Sequence, residues 1–306
     1  MRKAFITTLC ELAAADDRIV LMTGDLGHLA MEPFRERFPN RFLNVGVAEQ
    51  NMIGLATGLA EAGFLPYAYS IATFAALRPL EFIRNGPVLH QLPVRIVGMG
   101  MGFEYGHSGP THYGVEDVAV LRTLPGLTIV IPADSDQAAN AISDTSKISG
   151  PVYYSLGKDD KITVPGLNGR FHLGKIQVTR TGGDIALVTM GSLSQEVAAA
   201  AEELSSRGLE AAVAVVSNFY PDPEDDLADF LSKVRHAVSV EAQTMSGGLG
   251  AFAAGIIASR GLQCKLRALG VRTPPDGTSG VQEERWRKHG IDRHGIVRTV
   301  HELISK

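Results

Sequence analysis

The chain has 306 residues, of which 45% are hydrophobic and 20% are charged, and its formal net charge is −4. These values are typical of a globular protein with about two domains, and they give no reason to expect nucleic acid or an anionic membrane as a partner. The two cysteines, Cys10 and Cys264, are far apart in the sequence. This spacing argues against a disulfide framework or a zinc site and favours a reducing, cytoplasmic location.

The N-terminal segment superficially resembles a signal peptide, because a basic start precedes the apolar stretch Ala4–Leu12. Thr7, Thr8 and Glu11 interrupt that stretch, so we predict an amphipathic first helix instead. No apolar run in the sequence approaches the roughly 18 residues that a membrane span requires.

Short apolar runs alternate with helical patterns in the first half of the chain, which predicts α/β units around a mainly parallel sheet. The predicted strands are Ile19–Thr23, Val94–Met99, Thr128–Pro132 and Val152–Ser155, and the predicted helices are Gln50–Ala62 and Asp136–Ser143. A Gly-, Pro- and Lys-rich stretch with little periodicity follows, and we assign residues 161–181 to a linker.

The alternating pattern restarts after the linker and predicts a second α/β domain, residues 182–306. Its predicted strands are Ile185–Thr189, Ala212–Val216, Ala237–Val240 and Leu266–Leu269; its predicted helices are an Ala-rich one ending at Gly208, then Glu224–Leu231, Leu249–Ser259 and Ile296–Ile304. Ser192 and Gln195 have the spacing of a capping box, which predicts that Ser192 caps the Ala-rich helix.

The stretch Val45–Ala56 places a carboxylate, Glu49, at the start of a predicted helix whose Gly54 and Gly58 allow close packing. An acidic residue is favoured in a first helical turn by the helix dipole alone. Glu49 by itself therefore indicates no functional site.

Three landmarks together resemble the transketolase family, which includes the deoxyxylulose-phosphate synthases. They are Glu49 in Gly-Val-Ala-Glu, Phe74 in Thr-Phe, and His112 in Gly-Pro-Thr-His, and they follow one another in the family's order. The resemblance covers the whole chain, because Glu241 followed by Gly-Gly-Leu-Gly is similar to the family's C-terminal domain. It implies a thiamine-diphosphate pyrimidine-binding domain, residues 1–160, and a transketolase C-terminal domain, each with a mainly parallel sheet flanked by helices.

The resemblance also implies roles for individual residues. Glu49 and His112 would be catalytic: Glu49 would share a proton with the pyrimidine nitrogen N1′ of thiamine diphosphate, and His112 would bind substrate oxygens and move protons. Phe74 would stack on the pyrimidine, and Asp25 would lie near the thiazolium ring. The structural alternatives are a helix-start acid, a loop histidine, a core aromatic and, for Asp25, a turn residue.

The substrate end of the site departs from the family. The candidate substrate-binding residues are Arg2, His28, Ser108, His112 and Lys158, while Glu104, Tyr105 and His107 are further cleft candidates without an assigned role. Lys158 stands where the family usually has an arginine, Leu29 where it has a serine and Ser108 where it has an aspartate. A family histidine falls here among Gly98, Gly100 and Gly102. Lysine cannot form the bidentate hydrogen bonds to a phosphate that arginine forms. We therefore predict an unusual or unphosphorylated sugar or keto substrate.

The family's Gly-Asp-Gly motif, which belongs to its diphosphate and metal site, does not occur in the sequence. The resemblance therefore implies that the Mg²⁺ ligands lie on a companion N-terminal subunit, that this chain supplies none, and that the two form an α₂β₂ assembly. The implied activity is transfer of a two-carbon ketol unit between sugars. A 2-oxoacid dehydrogenase β-subunit, a deoxyxylulose-phosphate-synthase-like enzyme and a non-catalytic partner subunit remain open as alternatives.

Overall fold

The computed structural model describes residues 1–27, 29–273 and 276–305. Its strands, in chain order, are β1 (Ile19–Thr23), β2 (Phe42–Asn44), β3 (Leu65–Ile71), β4 (Arg95–Met99), β5 (Thr128–Val130), β6 (Val152–Leu156), β7 (Ile176–Arg180), β8 (Ile185–Thr189), β9 (Ala211–Val216), β10 (Asn218–Phe219), β11 (His236–Thr244) and β12 (Lys265–Val271). Its helices are α1 (Arg2–Ala15), α2 (Glu32–Arg37), α3 (Glu49–Glu61), α4 (Ala72–Ala76), α5 (Leu80–Ile83), α6 (Asp117–Leu121), α7 (Ser135–Thr145), α8 (Ser194–Ser206), α9 (Glu224–Ser232), α10 (Leu249–Arg260), α11 (Gln282–His289) and α12 (Arg293–Ile304).

The strands form two sheets. The first has seven strands in the order β10-β5-β6-β4-β3-β1-β2, and the second has five in the order β12-β11-β8-β9-β7. Every pairing is parallel except that of β10 with β5 and that of β7 with β9. The predicted α/β class with two mainly parallel sheets is confirmed.

Burial explains why the strand predictions from apolar runs succeeded. β1, β4, β6, β8 and β9 are buried along their whole length, as expected for parallel strands that have helices on both faces. One continuous cluster of buried apolar side chains reaches from the first sheet into the second, from Leu21 and Val97 to Val188 and Ala214. The two halves therefore share a core.

Helix α1 confirms the predicted amphipathic N-terminal helix. Phe5, Leu9 and Ala13 lie on its buried side, where they contribute to the shared core. Among the described residues, no helix is long and apolar enough to cross a membrane. Cys10 and Cys264 are both buried free thiols.

Strand β3 was not predicted, although it is central in the first sheet. Pro66 near its start and the polar Ser70 hide the strand pattern in the sequence, because proline lacks the N–H that a ladder needs. The stretch expected to be a linker contributes β7 to the second sheet, and β10 crosses from the second half to pair with β5.

The predicted capping box is wrong. Helix α8 begins at Ser194, with no side-chain cap at Leu193, and Ser192 lies in a preceding 3-10 turn, Gly191–Leu193. The Ser192 hydroxyl donates instead to Oε1 of Glu104, at 3.0 Å. The Ser192 hydroxyl therefore donates to the partly buried Glu104 carboxylate and does not cap the helix, contrary to the prediction from the sequence pattern.

The parallel order of the first sheet decides where the functional side chains meet. The segments that follow β1, β2, β3, β4 and β6 all leave the sheet at the same edge, because carboxyl ends of parallel strands lie together. The second half supports one of these loops: the Gly280 N–H donates to the Gly106 carbonyl at 3.1 Å, and the Tyr113 hydroxyl donates to the Thr278 carbonyl at 2.7 Å. The loop that carries His112 is therefore held by both halves.

Candidate active site

Glu49 is a buried carboxyl at the carboxyl edge of the first sheet. The turn after β2 includes Gly46, which has a φ of 75° that favours glycine, and α3 then begins at Glu49, which is 2% exposed. The Ser70 hydroxyl donates to Oε1 and an Arg78 Nη1–H donates to Oε2, each at 2.8 Å. A Cβ at Gly24 would lie 3.3 Å from Oε1, so the glycine after β1 gives the carboxyl its space.

Arg78 and Phe74 together connect Glu49 to His112. Its half-buried ring projects from α4, and the Arg78 guanidinium carbon lies 3.8 Å from the ring centroid. The His112 ring packs edge-on against the same ring at a centroid distance of 5.1 Å. A buried carboxyl, a guanidinium, an aromatic ring and an imidazole therefore form one continuous series of contacts.

His112 ends the 3-10 turn Pro110–His112, which follows Gly109 with a φ of 82°. Its Nδ1 lies 2.9 Å from the Thr111 hydroxyl oxygen, which orients the ring. The Tyr105 ring lies 6.4 Å from the His112 ring, centroid to centroid. His112 thus stands between the Glu49 pocket and a second cluster around Tyr105.

That second cluster contains Tyr105, Lys158, Glu104 and Ser192. The Lys158 ammonium lies 4.1 Å from the Tyr105 ring centroid, a cation–π contact. The Lys158 backbone N–H and the Ser192 hydroxyl each donate to the Glu104 carboxylate. Burial raises the pKa of Glu104 to about 7, although these two hydrogen bonds act in the opposite direction.

Tyr105 occupies space that a side chain at residue 100 would need. A Cβ at Gly100 would overlap Cε2 of the Tyr105 ring, and Gly100 has a φ of 85°. Gly100 is one of the three glycines that stand in the region where the family has a histidine. The Tyr105 ring covers this position. A larger residue at position 100 would force that ring out of the cluster.

Within the described part of the chain, the other predicted site residues make no hydrogen bond to Glu49. Arg2 lies on α1, close enough to Tyr105 for its charge to act on that side chain. Asp25 is exposed just after β1, with a φ of 60°, and its Oδ1 accepts a hydrogen bond from the Asn44 side chain at 2.8 Å. Ser108 is exposed in the 3-10 turn Gly106–Ser108. His28 lies outside the described residues.

Three residues of the site were not predicted from the sequence: Arg78, Ser70 and Ser192. Arg78 follows Phe74 by four residues, so a helical reading of this segment would have placed the two on one face. Ser70 required recognition of β3, and Ser192 was assigned to a helix cap. Among the described residues, no group of three or more His, Cys, Asp or Glu side chains is arranged to hold a metal ion.

This arrangement fits an aminopyrimidine. A ring nitrogen requires an acid or carboxylate at its edge and a flat apolar surface at its face, and Glu49 and Phe74 supply both. Residues 1–160 match the family described as the transketolase pyrimidine-binding domain, and residues 174–296 match the transketolase C-terminal domain. The chain belongs to the transketolase family. Membership in this thiamine-diphosphate family confirms the resemblance on which the site residues were predicted.

Two relatives of similar length are described as transketolase subunits. A 6-deoxy-6-sulfo-D-fructose transketolase subunit from Clostridium sp. (strain MSTE9) is 34% identical over 309 residues, covering 100% of this chain and 95% of the relative. An apulose-4-phosphate transketolase subunit from Actinobacillus succinogenes is 30% identical, and the match covers 92% of this chain and 90% of the relative. A solved structure described as a split-gene transketolase, inactive beta4 tetramer, superposes with a TM-score of 0.87 at 30% identity, covering 99% of this chain and 98% of that one.

Deoxyxylulose-phosphate synthases match less well. The 1-deoxy-D-xylulose-5-phosphate synthase of Syntrophotalea carbinolica is 29% identical, and this chain covers 47% of it. These matches favour the transketolase interpretation over the synthase alternative.

The pKa of Glu104 predicts a specific pH dependence of stability. A carboxyl whose folded pKa is about 7, above its ordinary 4.5, stabilises the fold fully below pH 4.5 and loses that contribution as pH rises through 7. The free energy of unfolding of the parent should therefore fall relative to Glu104→Gln over this range, by about 3 kcal/mol at most. Urea unfolding at several pH values measures the difference.

The comparison with the variant is needed because burial also raises the pKa of Glu241 to about 7. Glu241 remains in both proteins, so its effect cancels in the difference. A difference in unfolding free energy that stays constant from pH 4.5 to 7 would contradict the assignment to Glu104.

Proposed function

We propose that this chain is the pyrimidine-binding subunit of a two-subunit transketolase that transfers a two-carbon ketol unit between sugars or sugar-like acceptors. The observation that carries the proposal is the buried Glu49 carboxyl, which Arg78 connects to the Phe74 ring, with His112 in edge contact on that ring. A structural acid at a helix start needs neither the aromatic face nor the imidazole. Their presence argues against a non-catalytic partner subunit.

Each residue has a role that its surroundings support. Thiamine diphosphate, when bound, supplies the nucleophilic carbon for carbon–carbon bond cleavage and formation. Glu49 holds a proton at the pyrimidine nitrogen N1′, and Phe74 presents a flat face to the ring. His112, oriented by Thr111, binds substrate oxygens and moves protons, while Asp25 lies on the same sheet edge for the thiazolium side.

A companion subunit completes the site in this proposal. The Mg²⁺ ligands are proposed to belong to the companion subunit, which is consistent with the lack of the family's Gly-Asp-Gly motif in this sequence. Three relatives that match over nine-tenths or more of their length carry the word subunit in their names, and one solved relative is described as an inactive beta4 tetramer. An α₂β₂ assembly with the companion is the expected active form.

Reconstitution with the companion subunit tests this proposal. Calorimetry with thiamine diphosphate and Mg²⁺ should show no micromolar binding to the isolated chain, because half of the cofactor site is missing. Adding the companion subunit should produce binding and ketol transfer. Mg²⁺-dependent micromolar binding by the isolated chain would refute the split site, and a complex that binds the cofactor without any transfer would refute the transketolase activity.

The substrate end of the site supports an unusual or unphosphorylated sugar or keto compound as the substrate. The Lys158 charge is directed onto the Tyr105 ring, and its ammonium lies 3.4 Å from the Glu104 carbonyl oxygen. The adjoining cleft mixes both charge signs, since its lining includes His107, Lys158, Asp159 and Glu283. Leu29, where the family has a serine, is 94% exposed and offers no donor. A dianion would find little net positive charge here.

Comparison of phosphorylated and unphosphorylated acceptors tests this substrate assignment. In the reconstituted complex, kcat/KM for ribose 5-phosphate should exceed that for ribose by much less than about 10³, which corresponds to roughly 4 kcal/mol of transition-state discrimination. A ratio of about 10³ or more would show an ordinary phosphate-selective transketolase in two pieces.

A further inference from the structure

Arg78 makes both of the contacts that the cofactor's pyrimidine needs. Its guanidinium donates to Oε2 of Glu49 at 2.8 Å, and it lies 3.8 Å above the Phe74 ring. A planar, hydrogen-bonding group therefore already sits between the carboxyl and the aromatic face. In its flat shape, the guanidinium resembles a heteroaromatic ring.

These contacts are chemically incompatible with a bound aminopyrimidine. Arginine is a permanent cation that can only donate, so it holds Glu49 as an ionised acceptor. A neutral pyrimidine nitrogen is an acceptor and needs an O–H from the carboxyl. Since Oε1 already accepts from the Ser70 hydroxyl, Oε2 is the atom for which Arg78 and the pyrimidine compete.

We infer that Arg78 holds the place of the pyrimidine in the cofactor-free chain and must leave before the cofactor binds. This inference rests on the proposed function, because it assumes that Glu49 and Phe74 receive the pyrimidine. The side chain of Arg78 is 42% exposed, whereas that of Glu49 is 1% exposed. The arginine can therefore move into solvent, while the carboxyl stays in the pocket.

The role of the placeholder is to keep a buried carboxylate paired until the cofactor arrives. An unpaired buried charge is strongly unfavourable, so the ion pair with Arg78 stabilises the Glu49 carboxylate. The same pairing weakens cofactor binding, because only the fraction of molecules with Arg78 displaced is competent to bind. Removing the arginine should therefore tighten binding, whereas removing an ordinary cofactor ligand would weaken it.

The test compares cofactor affinity in complexes of the full chain with its companion subunit. Isothermal titration calorimetry at saturating Mg²⁺ gives the dissociation constant of thiamine diphosphate for the parent and for Arg78→Met, which has a long side chain without a donor. The variant should bind about tenfold more tightly, or about 1.4 kcal/mol. Arg207→Gln, at an exposed ion pair with Glu203 on the C-terminal part of the chain, is the control and should bind like the parent.

Two further measurements keep the inference testable if the Met variant fails to fold. Arg78→Lys retains a charge but no flat guanidinium, so its affinity should lie between those of the parent and the Met variant. A crystal structure of the loaded parent complex should show Arg78 away from Oε2 of Glu49 and off the Phe74 ring.

The outcomes separate this inference from the proposed function. If the parent complex binds the cofactor while the Arg78 variants bind equally or more weakly, the placeholder role is overturned and the proposed function stands. A loaded complex in which Arg78 still contacts Glu49 leads to the same conclusion. If the parent complex binds no thiamine diphosphate at all, both the inference and the proposed function are overturned.

Discussion

The Glu49 carboxyl is almost completely removed from water, and a carboxylate in that position requires hydrogen bonds and an opposite charge. Ser70, at the end of β3, supplies a hydrogen bond, and Arg78, just beyond α4, supplies a hydrogen bond and the opposite charge. Gly24, after β1, leaves the space. The pocket therefore requires that the ends of β1, β2 and β3 keep their register in the parallel sheet. The geometry of the site depends in this way on the fold.

The second half of the chain contributes to the site without supplying its central groups. Backbone hydrogen bonds from this half hold the loop that carries His112, and Ser192 holds Glu104 beneath Tyr105 and Lys158. A shared apolar core connects the two sheets, so these supporting groups and the pocket belong to one packed unit. This explains why the second half of the chain, which has the sequence pattern of a separate domain, affects the geometry of the site in the first half.

The sequence predicted the strands that are continuous apolar runs and the residues that belong to a family motif. It failed where a tertiary partner decided the outcome. Ser192 has the spacing of a helix cap, but the Glu104 carboxylate competes successfully for its hydroxyl. Strand β3 begins with Leu-Pro and contains Ser70, whose hydroxyl donates to Glu49. These residues interrupt the apolar run that would have predicted a strand. Arg78 lies outside the quoted motifs, and only the structure shows that it pairs with the motif glutamate.

The central claim is that Glu49 serves the cofactor as an acid. Isotope-edited infrared difference spectroscopy on the complex with its companion subunit, with and without thiamine diphosphate, measures this directly, and Glu49→Gln identifies the bands that belong to Glu49. Cofactor binding should remove a carboxylate band and produce a carboxylic-acid band, both absent in the Gln variant. A Glu49 signal that remains that of an ionised carboxylate after the cofactor binds would contradict the claim.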